Sequence, residues 1–154
     1  MQTKAKVIPE PDDTAVTELV TGEVGAMQGL LIADKDLDCR KQMADMFIQA
    51  GYNVIVTNSA ANALDGILKK TAQVVLLGSG FDDLTAADLI PLLKQCNRNL
   101  SIILLANDAS LPLLRKLRNE GIFYHALKPV SGEDREEIRQ VVECAFQRFS
   151  EHQE

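Results

Sequence analysis

Ala72–Gly80, reading Ala-Gln-Val-Val-Leu-Leu-Gly-Ser-Gly, holds four consecutive large apolar residues, Val74 to Leu77. The run is too short for a buried helix. It suits a central strand covered on both faces, which shows an unbroken apolar run instead of an alternation. The run stops at Gly78; Gly80 follows, and then the acidic pair Asp82-Asp83. In an open parallel sheet, ligands bind just outside the carboxyl ends of the strands. Gly78 therefore stands where a functional side chain is expected, and it has none.

Strand-like and helix-like segments alternate on both sides of this stretch. Upstream, Leu30–Ala33 is a short buried strand closed by Asp34-Lys35-Asp36. Leu37–Ala50 has helical spacing, with Leu37, Met43, Met46, Phe47 and Ala50 on one side and Arg40, Lys41 and Gln49 elsewhere. Asp36 is its N-cap and Gly51 its C-terminal stop. Tyr52–Thr57 is β-branched and strand-like. Asn58 or Ser59 caps a second helix, Ala60–Lys70. Downstream, Thr85 and Asp88 form a capping pair for a helix through Leu89–Leu93. Pro91 allows two readings there: a later start with Asp88 as cap, or a kink. Ser101–Leu105 is a fourth strand. Ser110 caps a helix with Pro112 in its first turn, ended by Gly121. Ile122–Leu127 is a weak fifth strand. The last helix has Asp134, Glu136 and Glu137 near its start, then an apolar stripe through Ile138, Val142, Phe146 and Phe149. Five strand–helix alternations predict a doubly wound α/β parallel sheet with right-handed crossovers.

With 46% hydrophobic and 25% charged residues, the 154-residue chain has the composition of one ordinary soluble globular domain. Its net charge of -6 argues against a general nucleic-acid or anionic-membrane binder. No apolar run reaches membrane-spanning length and no signal peptide opens the chain. Cys39, Cys96 and Cys144 are widely spaced and odd in number, which predicts reduced thiols in a cytoplasmic protein. Residues 1–28 read as a flexible leader with a possible short helix over Thr14–Leu19. The domain spans residues 29–150, and 151–154 read as a disordered tail.

The strand ends carry a family resemblance. Leu-Ile-Ala-Asp34-Lys35-Asp36, Val-Val-Leu-Leu-Gly78, Ile-Ile-Leu-Leu-Ala106-Asn107 and Gly121-Ile-Phe-Tyr-His125-Ala-Leu-Lys128-Pro129, in this order, resemble the receiver domains of bacterial response regulators. The resemblance covers about Gly29 to Phe149. It implies a flavodoxin-like five-stranded sheet of order 2-1-3-4-5 and a Mg²⁺-assisted phosphotransfer to an aspartate after the third strand. Asp34 matches the first metal-binding acid, and Lys35 replaces the second. Asp36 is acidic but one place further on. Gly78 stands at the phosphoacceptor position, Ala106 at the Thr/Ser position and His125 at the aromatic switch position. Lys128 keeps its place before Pro129, in a bond that is commonly cis in the family.

A cation at Lys35 repels a divalent ion about 4 Å away by a few kcal/mol. The expectation is therefore a degenerate receiver without aspartyl phosphorylation, not an enzyme, with no cofactor and weak or absent Mg²⁺ binding. Lys128 is expected to pair with Asp34 across the sheet end. Asp82 and Asp83 are poor substitutes for the missing acid. The Gly78-Ser79-Gly80 turn lacks the length and Lys of a nucleotide-binding loop. The resemblance also implies protein contacts, with a partner or a second copy, through the fourth and fifth strand–helix units. There Arg115, Lys116 and Arg118 oppose Glu133, Asp134, Glu136 and Glu137. A receiver with an unconventional phosphoacceptor is the alternative. An unrelated small α/β enzyme finds no support, since His125 and His152 are the only histidines.

Overall fold

The computed structural model describes residues 17–21, 29–78, 80–81 and 84–151. Five strands pair in parallel: β2 (Gly29–Ala33), β3 (Asn53–Thr57), β4 (Val74–Gly78), β5 (Ser101–Leu105) and β6 (Tyr124–Ala126). Their spatial order is β3-β2-β4-β5-β6. Counted from Gly29, this is the expected order 2-1-3-4-5. The helices α1 (Leu37–Gln49), α2 (Ala60–Leu68), α3 (Ala86–Cys96) and α4 (Leu111–Asn119) connect successive strands, and α5 (Gly132–Glu151) follows β6.

Alternate strand residues feed two cores. Leu30, Ile32, Val74, Leu76, Ile103 and Leu105 pack with Met43 and Phe47 of α1 and with Ile138, Val142 and Phe146 of α5. Leu31, Val75, Leu77, Ile102 and Leu104 pack with α2, α3 and α4 through Ile67, Leu89, Ile90, Leu93 and Leu117. Val74 through Leu77 are all fully buried, which is why β4 carries no polar alternation. At about 1.5–3 kcal/mol per fully buried aliphatic side chain, this central strand does much to hold the two layers together.

The turn residues act locally. Gly51 and Gly121 have φ of 96° and 102°, the left-handed region that ends α1 and α4 without Cβ strain. Of the two candidate caps for α2, Ser59 is the one used; its Oγ accepts the Asn62 amide at 3.2 Å. Helix α3 starts at Ala86, capped by Thr85, whose Oγ1 accepts the Asp88 amide at 3.2 Å and donates to Asp88 Oδ2 at 3.1 Å. Pro91 thus lies inside the helix and not in its first turn.

Three expectations are corrected. Thr17–Thr21, assigned to a leader with a possible helix over Thr14–Leu19, form a strand, β1, antiparallel to β3, with Thr17 opposite Thr57 and Thr21 opposite Asn53. Without it β3 would present a bare edge of amides and carbonyls. The Thr, Leu and Val of this segment suit a strand better than a helix. The rest of residues 1–28 lies outside the described residues. Glu151, assigned to the tail, closes α5, and residues 152–154 are likewise outside the described residues. Finally, no described peptide bond is cis, so Lys128–Pro129 is trans. Lys128 reaches its partners from that geometry.

Candidate functional site

The carboxyl ends of β2, β4, β5 and β6 place Asp34, Gly78, Ala106 and Lys128 together, as the parallel register requires. Asp34 follows β2 directly and is 3% exposed. Its backbone is held on both sides: its amide donates to the Thr57 carbonyl at 3.1 Å, and its carbonyl accepts Arg40 Nη1 at 2.7 Å. Its Oδ1 accepts the Asp36 amide at 2.9 Å. Both carboxylate oxygens face Lys128 Nζ, at 3.2 and 3.3 Å.

Asp36 does two things. Its Oδ1 caps α1, accepting the amides of Asp38 and Cys39 at 3.0 and 3.3 Å. Its Oδ2 lies 3.8 Å from Lys128 Nζ. Lys128 thus bridges the two acids that flank Lys35. A cavity of about 400 Å³ opens above, lined by Asp34, Lys35, Asp36, Gly80, Phe81 and Lys128. Two carboxylates and two ammonium groups give it no formal net charge. Asp82 and Asp83, considered as substitute acids, lie outside the described residues. Among the described residues, no group of three or more His, Cys, Asp or Glu is placed to hold a metal ion.

Gly78 ends β4 opposite Leu105 of β5, and the space above its Cα is filled by the Asp34 carboxylate. Next along the sheet, Ala106 is buried and offers no hydroxyl. Its amide donates to the Ala126 carbonyl at 3.0 Å, and its carbonyl accepts His125 Nε2 at 2.9 Å. His125 is half-buried and ties β6 to the loop after β5.

Two residues of the site were missed by sequence reasoning. The sequence reading places Arg40 off the apolar side of α1, yet it is 3% exposed. Its spacing to Met43, Ala44 and Phe47 is that of the buried stripe, and this was the available signal. Asn107 accepts the Lys128 amide on Oδ1 at 2.9 Å, a contact across 21 residues with no local signature. Cys39, beneath Asp34, is buried. Burial first, and then the Asp34 carboxylate, push its thiol up to about 12, so it is no nucleophile. Cys144 is exposed and Cys96 partly so.

The proposed interface residues lie on α4 and α5. Arg115, Lys116 and Arg118 are exposed, as are Glu133, Glu136 and Glu137, while Asp134 is half-buried. Asp134, Glu136 and Glu137 are already engaged within their own chain. Glu136 accepts both Arg139 Nε and Nη2, at 3.0 and 2.5 Å, and Glu137 accepts the Tyr124 hydroxyl at 2.7 Å. Asp134 accepts the Val130 amide at 3.0 Å, which, with Ser131, holds its carboxyl below the usual carboxylate range. Arg135 and Arg139 interleave with these acids, so the contrast with α4 is milder than the sequence suggested.

Comparison with known proteins covers most of the chain. A family model described as the response regulator receiver domain matches residues 30–143. Sporulation initiation phosphotransferase F of Bacillus subtilis (strain 168) is 24% identical over 113 residues, 73% of this chain and 89% of its own length. A CheY-like response regulator receiver domain protein from Methanospirillum hungatei JF-1 superposes with a TM-score of 0.72 at 20% identity, over 82% of this chain and 99% of its own. The receiver domain of Francisella response regulator 1452 gives 0.70 at 21% identity, over 79% and 98%. At such identities the two structures speak for the fold alone.

Proposed function

The chain belongs to the response regulator receiver domain family, and from that premise we propose that it is an atypical receiver, signalling through protein contacts without forming an aspartyl phosphate. One observation carries this reading: at the end of β4 a glycine stands where the acceptor carboxylate belongs, and the nearby Asp34 carboxylate is bridged by Lys128. Phosphoryl transfer needs a carboxylate oxygen free to attack and cations free to neutralise the incoming charge. Asp34 is buried and already paired, and Lys128 is the cation spent on it. Ala106 has no hydroxyl to donate, and its carbonyl is engaged by His125.

The same geometry supports weak or absent Mg²⁺ binding. Both Asp34 oxygens face an ammonium group, Asp36 caps a helix, and Gly78 supplies no ligand. Lys35 adds a positive charge to the cavity wall. The residues present do not fit the ion, and we assign it no step.

Receiver domains act on protein partners, and we assign that role here to the face built by α4, β6 and α5, toward a second copy or another protein. Exposed Leu111, Leu127 and Val130 supply apolar area beside Arg115, Lys116 and Arg118. The net charge of -6 weighs against nucleic acid. Among the described residues no helix is long and apolar enough to cross a membrane, and we place the domain in the cytoplasm on family grounds. Titration of the ¹⁵N-labelled protein with Mg²⁺, alone and with beryllofluoride, tests the reading. The amides of Asp34–Asp36, Gly78 and Lys128 are expected to stay unmoved, and saturable shifts there contradict it.

A further inference from the structure

The strand end holds more than a missing nucleophile. A Cβ placed on Gly78 would lie 2.5 Å from the carboxyl carbon of Asp34, 2.5 Å from its Oδ1 and 2.9 Å from its Oδ2. All three distances are far inside van der Waals contact, so a side chain at 78 forces that carboxylate to shift. The carboxylate has little room to retreat. It is buried, it accepts the Asp36 amide and it faces Lys128 with both oxygens. The backbone behind it is fixed by Thr57 and Arg40. Lys128 is anchored in turn, its amide donating to Asn107. Two residues on, Val130 donates to Asp134 at the start of α5.

We infer that Gly78 is a working part of an ion-pair latch and not merely the trace of a lost acceptor. Its bare Cα is the floor on which the Asp34 carboxylate lies. Lys128 closes over that carboxylate, and the pair holds the loops after β2, β5 and β6 in one arrangement with no metal and no phosphoryl group. The signalling role of those loops rests on the reading above. Competition between Asp34 and a side chain at 78 does not, and it is tested separately. An aspartate at 78 would displace the Asp34 carboxylate and break the latch.

The experiment is a double-mutant cycle of the full chain in urea: wild type, Gly78→Ala, Asp34→Ala and the pair. With no clash, Gly→Ala inside a strand is neutral or stabilising. Here Gly78→Ala is expected to raise the unfolding constant roughly tenfold with Asp34 present and to have no adverse effect once Asp34 is alanine. An equal effect in both backgrounds overturns the inference. Should Gly78→Ala not accumulate folded, recovery of a folded protein by adding Asp34→Ala makes the same point, and failure of the pair to fold overturns it. A phosphate adduct on the wild type after incubation with acetyl phosphate and Mg²⁺ strikes only the preceding proposal, and the cycle alone decides the latch.

Discussion

Asp34 is a buried formal charge, and such a group is tolerated only when its neighbours satisfy it. Lys128 and the Asp36 amide do so. Replacing Lys128 by Met strands the carboxylate, and we expect a loss of about 2–3 kcal/mol by urea unfolding, near the low end for buried pairs because Lys128 is 22% exposed. The pair Asp34→Asn/Lys128→Met should lose less than the sum of the single changes; strict additivity would mean that the two are not coupled. Cys39 gives a pH test. Its thiol ionises near 9.0 when unexceptional and near 12 in the fold, so above pH 9 the unfolded chain holds fewer protons than the native one. This contribution is intact below pH 9 and falls as pH rises from there toward 12. Between pH 9 and 10 the wild type should lose about 1 kcal/mol more stability than Cys39→Ala. Equal losses would show that the thiol is not perturbed. Tyr52, whose hydroxyl is also pushed up by burial, is present in both proteins and cancels. Gly78 could be singled out from the sequence because its strand end is marked by where an apolar run stops, and Asp34 and Lys128 through the family resemblance of the strand ends. Arg40 could not, because an arginine is ordinarily exposed whatever its spacing, and the approach of Asp34 to Gly78 depends on a side-chain direction that no run of letters encodes.

Helices and central strands were readable for a related reason. A run such as Ser101–Leu105 is buried on both faces, so its boundaries coincide with its composition. Caps behaved likewise: Ser59 and Ser110 accept the amides of Asn62 and Leu113, both at 3.2 Å. Replacing either by Ala should cost about 1 kcal/mol in urea unfolding, and a change near zero would show that the cap is idle. β1 was missed because Thr17–Thr21 is short, weakly apolar and set among Pro, Gly and acidic residues. It is recruited by the bare edge of β3, a tertiary demand. Leu19→Pro and Val20→Pro remove adjacent amides of that strand. One of them should speed hydrogen exchange in Asn53–Thr57 while leaving Val74–Gly78 protected. If neither does, β1 does not guard the edge.

Across the molecule, the two cores fix the sheet, and the sheet brings five loop ends to one rim, where Asp34, Gly78, Ala106 and Lys128 gather. The α4–β6–α5 face is the part least determined by sequence, since Glu136 and Glu137 turned out to have partners within the chain. If a second copy docks there, sedimentation should show concentration-dependent dimers that weaken with salt. Monomer alone at high protein concentration would direct the search to a different partner. The most direct measurement concerns the strand end itself: intact mass of the wild-type protein after incubation with acetyl phosphate and Mg²⁺. Signalling without an aspartyl phosphate predicts an unchanged mass. A stoichiometric phosphate adduct, lost on mild base treatment as an acyl phosphate is, would contradict it.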